Sequence, residues 1–404
     1  MTDSDTRLIR RVALRNYKSI AACDVALQPL SILVGPNGAG KSNFLDALRF
    51  TAQALRFSLD HALRERGGIS EVRRRSRGHP NRFGVRLEFR LPETMGFYAF
   101  EVGAKPKGRY AVRKEECVCY GLDWTQEHWF RAEDGVATGS LSHPPGVGAD
   151  RLYLMQVAGY PEFRPIYDAL AGMGFYNFHP EQIRELQPPD PGDLLKRDGS
   201  NIASVLSSLK SRAPESAGRV VEYLSKVVPG TVGTEPKVIG PKLTLEFRQQ
   251  VRGDEHPWRF LAENVSDGTL RVLGVLVALF QGFEGEPGTA KLVGIEEPES
   301  ALHPAAAGVL TDVLGEASEH VQVVLTSHSA DLLDRPSIST DSVVAVTAAD
   351  GETRLAPIDR TGRAALEEQL VSAGELLRLG HLSPDPDLAV PNQLRLFGTP
   401  RDRS

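Results

Sequence analysis

Cysteine is almost absent from this chain: Cys23, Cys117 and Cys119 are the only three in 404 residues. Cys117 and Cys119 form a lone Cys-x-Cys with no second pair, which excludes a structural zinc set and a disulfide framework. Long apolar runs are missing too. The longest, residues 272–280, is far shorter than the roughly 20 residues that span a bilayer. No internal repeat and no sustained heptad pattern occurs, so long coiled-coil arms are not expected. Positive charge is not in excess: 47 Lys and Arg stand against 52 Asp and Glu, a formal net charge of −5. Any nucleic-acid contact must therefore come from a local patch rather than a global field. The first residues, Met1 to Arg7, are polar and carry no apolar signal segment. These absences point to a soluble cytoplasmic protein with reduced thiols, long enough for two or three compact units.

What is present is a glycine-rich loop. Gly35-Pro36-Asn37-Gly38-Ala39-Gly40-Lys41-Ser42 fits G-x-x-x-x-G-K-[ST] at every fixed position. The apolar residues 30–34 before it read as a buried strand. Asn43 opens a helix in which Phe44, Leu45 and Leu48 share one face. Glycines at this spacing let backbone N–H groups turn inward around a polyphosphate, and the helix start adds free donors and a favourable dipole. Lys41 would reach the β- and γ-phosphates and the Ser42 hydroxyl would ligate Mg²⁺. The expected ligand is ATP with Mg²⁺.

Strand-like alternation occurs at residues 8–14, 23–27, 84–91, 97–102 and 110–120, and a helix is expected at 201–210. Beyond Arg259, helices are expected at about 269–280 and 304–316, and buried strands at 291–295, 321–326 and 342–347. Strands alternating with helices after a phosphate loop indicate an α/β nucleotide-binding sheet. Residues 1–122 form its N-terminal half and 255–380 its C-terminal half. Between them, 123–254 read as an inserted mixed α+β lid region. The tail, 381–404, contains Pro384, Pro386, Pro391 and Pro400 and is expected to be disordered.

Three further segments carry chemistry. The apolar strand ending at Ile295 runs into Glu296-Glu297-Pro298, adjacent acids at a strand's end. A magnesium triphosphate site needs one carboxylate near the metal and one to polarise the attacking water. About thirty residues on, another buried strand ends in Thr326-Ser327-His328-Ser329, where His328 can reach the γ-phosphate or that water. The turn Ser266-Asp267-Gly268-Thr269 precedes an apolar helix and forms either an anion clamp or a simple helix cap.

Together these segments resemble the ABC-type ATPase heads of the RecF/SMC/Rad50/OLD group, and most of all the stand-alone AAA_21-like ATPases. The fold implied is a P-loop NTPase sheet with an antiparallel β subdomain. Arg15-Asn16-Tyr17-Lys18-Ser19 resembles the group's opening, Ser266 to Thr269 its signature, and Ser300-Ala301-Leu302-His303-Pro304 its D-loop. The resemblance implies two heads that sandwich two ATPs. Residues 35–43, from Gly35 to Asn43, would bind the nucleotide, with Lys41 catalytic. Glu297 would be the general base, Glu296 and Ser42 would hold Mg²⁺, and His328 would sense the γ-phosphate. Ser266, Asp267, Gly268 and Thr269 would act in trans on the partner's ATP.

Two segments suggest partners. Arg64, Arg66, Arg73, Arg74, Arg75, Arg77, Arg82, Arg86 and Arg90 crowd one stretch, and Arg73, Arg74, Arg75 and Arg77 are its candidate DNA contacts. The pentapeptide Gln393-Leu394-Arg395-Leu396-Phe397 resembles the bacterial sliding-clamp-binding motif. Leu396 and Phe397 would fill an apolar pocket, Gln393 would hydrogen-bond at its rim, and Leu394 completes the clamp-binding set. The expected function is an ATP-dimerising ATPase acting on DNA in replication-linked repair or maintenance. The competing expectations are a defence ATPase gating a separate nuclease or toxin, and a nucleotide-locked binding module.

Overall fold

The structure is a computed structural model. It describes residues 6–76, 78, 80–122, 127–281, 290–300, 304–335, 338–389 and 394–398, with the backbone alone for 304–306. The chain forms two units. One, the phosphate-loop unit, comprises Arg7–Met173, Thr340–Val371 and the chain from Leu379 onward. The other, the carboxylate unit, comprises Gly174–Ser339 and Ser372–Arg378, with Thr6.

The phosphate-loop unit begins with strands β1 (Ile9–Tyr17), β2 (Ile20–Ala26), β3 (Leu30–Val34), β4 (Arg82–Arg90), β5 (Thr94–Ala104), β6 (Tyr110–Gly121), β7 (Glu127–Glu133) and β8 (Val136–Gly139). All but β3 make one antiparallel sheet in the order β2-β1-β4-β5-β6-β7-β8. Phe83, Val85, Leu87 and Phe89, the alternate apolar residues of β4, are buried, and Gly84 and Arg86 between them are buried as well, so the middle of this strand is covered on both faces. The helix Lys41–Arg56 packs there through Phe50, whose ring centroid lies 5.4 Å from that of Phe83 and 6.1 Å from that of Tyr17. Such edge-on aromatic pairs add about 0.5–1.5 kcal/mol beyond the area they bury.

The carboxylate unit carries β9 (Gly174–Tyr176), β10 (Thr231–Ile239), β11 (Lys242–Gln249), β12 (Trp258–Leu261), β13 (Leu292–Glu296) and β14 (Gln322–Ser327). β13 pairs in parallel with β9 on one side and β14 on the other. β13 and β14 are buried along nearly their whole length, with apolar residues at 292–295 and 323–325, as strands covered on both faces must be. β10, β11 and β12 form a separate antiparallel meander. The helix Asp267–Phe280 is buried almost all round, which explains why it lacks a clear polar face. The chain then returns to the first unit as β15 (Val343–Ala349) and β16 (Glu352–Pro357), with β15 parallel to β3 and antiparallel to β16.

The units do not follow the expected segment boundaries. The expected lid region is shared: β7 and β8 extend the antiparallel sheet of one unit, while β9 and the β10–β12 meander belong to the other. Nor is the described part of the tail disordered. Ile358 bridges Pro384, Asp359 N–H donates to the Ser383 carbonyl at 2.9 Å, and Pro386 opens a short helix, Pro386–Ala389. Proline-rich composition was misleading because proline is well suited to a helix's first turn and to an edge bridge. Among the described residues, no helix is long and apolar enough to cross a membrane. All three cysteines are buried and free, and no metal-ligating cluster occurs among the described residues.

Candidate nucleotide site

Each unit carries part of the expected chemistry. In the phosphate-loop unit, β3 is buried throughout and delivers the chain to Gly35. Pro36, Asn37 and Gly38 are exposed at the loop's tip, and Gly40 precedes the helix Lys41–Arg56. Gly38 (φ 77°) and Gly40 (φ 101°) lie in the left-handed region that favours glycine. Close approach adds a second demand. A Cβ on Gly35 would sit 1.9 Å from the Val346 carbonyl oxygen, and one on Gly40 2.0 Å from Thr353 Oγ1. The loop therefore rests directly on β15 and β16.

No side chain caps the start of the Lys41–Arg56 helix, which keeps first-turn donors available to an anion. Lys41 is buried, and its Nζ donates to the carbonyls of Gly35 at 2.7 Å and Pro36 at 3.1 Å. Ser42 is exposed at the rim. Glycines that admit close approach, an uncapped helix start, a tucked ammonium and an exposed hydroxyl fit a polyphosphate with its Mg²⁺.

The opening segment Arg15 to Ser19 braces this loop. Thr353 Oγ1 donates to the Ala39 carbonyl at 2.8 Å and lies 2.7 Å from Ser19 Oγ, which accepts from Asn43 Nδ2 at 2.6 Å. The Asn43 amide thus also braces the loop. One turn further along the helix, Asp46 accepts from Tyr17 Oη, Arg49 and Arg66 and pairs with Lys18. Burial would raise the Asp46 pKa, but the Arg66 hydrogen bonds and the three cations hold it well below the usual carboxylate range. Thr353 has no motif of its own, so the sequence offered no signal for it.

Four members of the arginine stretch serve the fold. Arg66 and Arg86 are buried. Arg73 Nη1 donates to the Pro80 carbonyl at 2.9 Å, and Arg74 bonds the Ser19 carbonyl at 2.8 Å and pairs with Glu352. Arg75 faces outward, paired with Glu71. Arg77 lies outside the described residues. Among the described members of the DNA-contact set, Arg75 is the exposed one.

In the carboxylate unit, β13 and β14 run in register with Glu296 opposite Thr326, which sets both acids beside the end of the neighbouring strand. Glu297 has φ 45°, a left-handed conformation that costs a non-glycine residue about 1–3 kcal/mol. Its N–H donates to the Thr326 carbonyl at 3.0 Å, and its carbonyl accepts from Ser300 N–H at 3.0 Å. The strained turn lifts its carboxylate to within 3.5 Å of His328 Nδ1, with both side chains about half exposed. Glu296 Oε1 accepts from Arg197 at 2.6 Å, a partner from the expected lid region that carries no sequence motif. Of the D-loop segment, Ala301, Leu302 and His303 lie outside the described residues.

The Ser266 side chain caps the helix Asp267–Phe280 by accepting from Thr269 N–H at 3.3 Å. Asp267 pairs with Arg184, and Thr269 is buried. Beside them lies a cavity of about 230 Å³ lined by Phe247, Phe260, Asn264, Ser266 and Thr269. Cap and clamp were alternatives in the sequence; the hydroxyl serves as a cap and remains exposed beside that cavity.

These elements occur in a known family. The profile described as "AAA domain, putative AbiEii toxin, Type IV TA system" matches residues 30–120 and 144–334, which contain the phosphate loop, the Ser266 turn, Glu296, Glu297 and His328. The chain belongs to this family. It is an ABC-type ATPase of the RecF/SMC group. Structural maintenance of chromosomes protein 4 of Schizosaccharomyces pombe is 23% identical over 54% of this chain, and the match spans 17% of that protein. DNA replication and repair protein RecF of Clavibacter sepedonicus is 33% identical over 26% of this chain and 26% of its own length. The chain thus spans about a quarter or less of these curated relatives. The fold matches an Smc head bound to the C-winged helix domain of ScpA, with TM-score 0.56 and 15% identity, over 88% of this chain and 99% of that one. An Smc head from Pyrococcus furiosus with an extended coiled coil gives TM-score 0.55 and 12% identity, over 90% and 99%.

Proposed function

We propose that this ATPase hydrolyses ATP between two copies of itself and acts on DNA in replication-linked repair or genome maintenance. The observation that carries the reading is Glu297, held in a strained left-handed turn that brings its carboxylate to His328 at the ends of adjacent parallel strands. Lys41 and the loop from Gly35 to Asn43 would bind the phosphates. Ser42 and Glu296 would hold Mg²⁺, which screens the phosphate charge when bound. Glu297 would take the proton of the attacking water. Ser266 and Gly268, exposed or partly so at the start of their helix, would meet the partner's ATP. The names of the SMC and RecF relatives support a role at chromosomes and DNA. Glu297→Gln should bind ATP and accumulate as a dimer without turnover; a monomer in saturating ATP would count against the sandwich.

Within this reading, the tail motif would bind the sliding clamp. Leu396 is buried against the chain's own antiparallel sheet, and Gly84 leaves the space it fills. Arg15 donates to the Leu394 carbonyl, Arg86 Nη1 donates to those of Leu396 and Gly398, and the Phe397 ring lies 5.0 Å from Lys114 Nζ. Gln393 lies outside the described residues. Clamp binding therefore requires Leu396 and Phe397 to leave this groove. Binding of the full chain to a clamp, lost in Phe397→Ala, tests it. The family description, which names a toxin of a toxin–antitoxin system, favours a second reading: a defence ATPase that gates a separate nuclease or toxin. Growth arrest on expression of Glu297→Gln with its neighbouring gene, but not alone, would support that reading.

A further inference from the structure

One carboxylate of this region has no role in the reading above. Glu299 follows Glu297 by two positions, and its side chain is only 8% exposed. Its Oε1 accepts the Ser327 hydroxyl at 2.6 Å and the His328 N–H at 3.2 Å, and lies 3.9 Å from His328 Nδ1. Its Oε2 is buried without a hydrogen-bond partner among the described residues. An unpaired buried carboxylate oxygen is destabilising, and what stands against that cost is the pair of hydrogen bonds that Oε1 accepts from Ser327 and His328.

What the carboxylate does is hold the two groups that decide where His328 sits: the hydroxyl of the preceding residue and the histidine's own amide. The consequence reaches the imidazole. Its Nδ1 faces Glu297 Oε1 at 3.5 Å and Glu299 Oε1 at 3.9 Å. We propose that Glu299 is a positioning residue for ATP hydrolysis, clamping the Ser327–His328 turn so that the imidazole stays against Glu297. The proposal rests on Glu297 and His328 acting in hydrolysis.

The test is steady-state ATP hydrolysis by the full-length protein, with a thermal melt of each variant. Glu299→Ala should lower kcat by about 10- to 100-fold, the scale of an ångström's misplacement of a catalytic group, with KM for ATP changed less than about threefold. Glu299→Gln keeps a carbonyl acceptor for Ser327 and His328 and should recover kcat to within about fivefold of wild type. Ser327→Ala removes the 2.6 Å bond from its other end and should lower kcat in the same direction, which keeps the question open to experiment if Glu299→Ala folds poorly. Unchanged kcat in both Glu299→Ala and Ser327→Ala, or no recovery in Glu299→Gln, would overturn the proposal while Glu297→Gln stays inactive. Wild-type turnover in Glu297→Gln and His328→Ala would overturn the site reading itself and the proposal with it.

Discussion

Removing the Asp46 carboxylate should loosen the helix that carries Lys41 from the sheet beneath it. The Asp46 side chain is 8% exposed and faces Arg66 at 3%, Arg49 at 19% and Lys18 at 26%. Taking one partner from a buried ion pair costs about 3–5 kcal/mol, because the other charge is left uncompensated. Arg49 and Lys18 are near enough to the surface to turn toward water. Arg66 is not, but it keeps Gln53 Oε1 and the Ala62 carbonyl, each at 2.8 Å. Asp46→Ala should therefore fall at the lower end, about 3 kcal/mol. In a unit of this size that is roughly 6–12 °C in Tm, read by calorimetry on the transition that also responds to Phe50→Leu. Asp46→Asn keeps an acceptor for Tyr17 and Arg66 and should cost less. The native Asp46 pKa is depressed, so its contribution is complete above the ordinary aspartate range and is lost only as pH falls through the lower native value. The deficit of Asp46→Ala should thus be flat from about pH 5 to 8 and shrink in strong acid. A loss below about 1 kcal/mol in Asp46→Ala would refute the claim that this carboxylate holds the helix.

Glu115 provides the opposite pH dependence. Burial pushes its carboxyl up to about 7, despite N–H donors from Tyr153 and Leu154 and the Tyr98 hydroxyl. Its raised native pKa favours the fold fully below the ordinary glutamate value of 4.5, and that contribution disappears as pH rises through about 7. Glu115→Gln should flatten the pH dependence of Tm between those limits; an identical slope in the variant would exclude Glu115 as its source. Arg197→Ala should lower the Mg²⁺ concentration needed for half-maximal ATPase activity, by up to about fivefold, since a partly exposed pair is worth at most about 1 kcal/mol. An unchanged or higher requirement would argue against Glu296 as the metal carboxylate. Gly84→Val places a Cβ where Leu396 Cδ1 lies, 2.4 Å away, and should free residues 394–398 to exchange amide hydrogens without altering ATP turnover. Unchanged protection there would mean that the groove does not hold the tail.

The local parts of the site were legible in the chain because each is written in contiguous residues. The loop from Gly35 to Ser42, the acids Glu296 and Glu297 and the cluster at His328 all sit at the ends of apolar strands. A buried strand is recognised by its own composition. The family resemblance rests on the same short motifs, and the family match and the Smc-head fold agree with it. Long-range partners had no such signature. Thr353 under the phosphate loop, Arg197 at Glu296 and the pairing of Arg74 with Glu352 join residues far apart in the chain, and no local pattern marks them. The arginine stretch looked like a phosphate-binding stripe because composition counts charges but not their partners; Arg66, Arg73, Arg74 and Arg86 are engaged by the fold itself. The tail misled for a related reason. Its prolines argue against internal structure, yet the apolar Leu396 and Phe397 find a surface supplied by the antiparallel sheet more than 270 residues earlier in the chain. Backbone strain likewise shows only in the folded structure, where the left-handed Glu297 donates to Thr326 on the neighbouring strand. The sequence by itself determined which chemical groups the protein carries and the strand ends on which they sit. Tertiary packing decided which of those groups are spent on the fold and which remain free to act, because a hydrogen bond or an ion pair is settled by distance in space rather than by position in the chain.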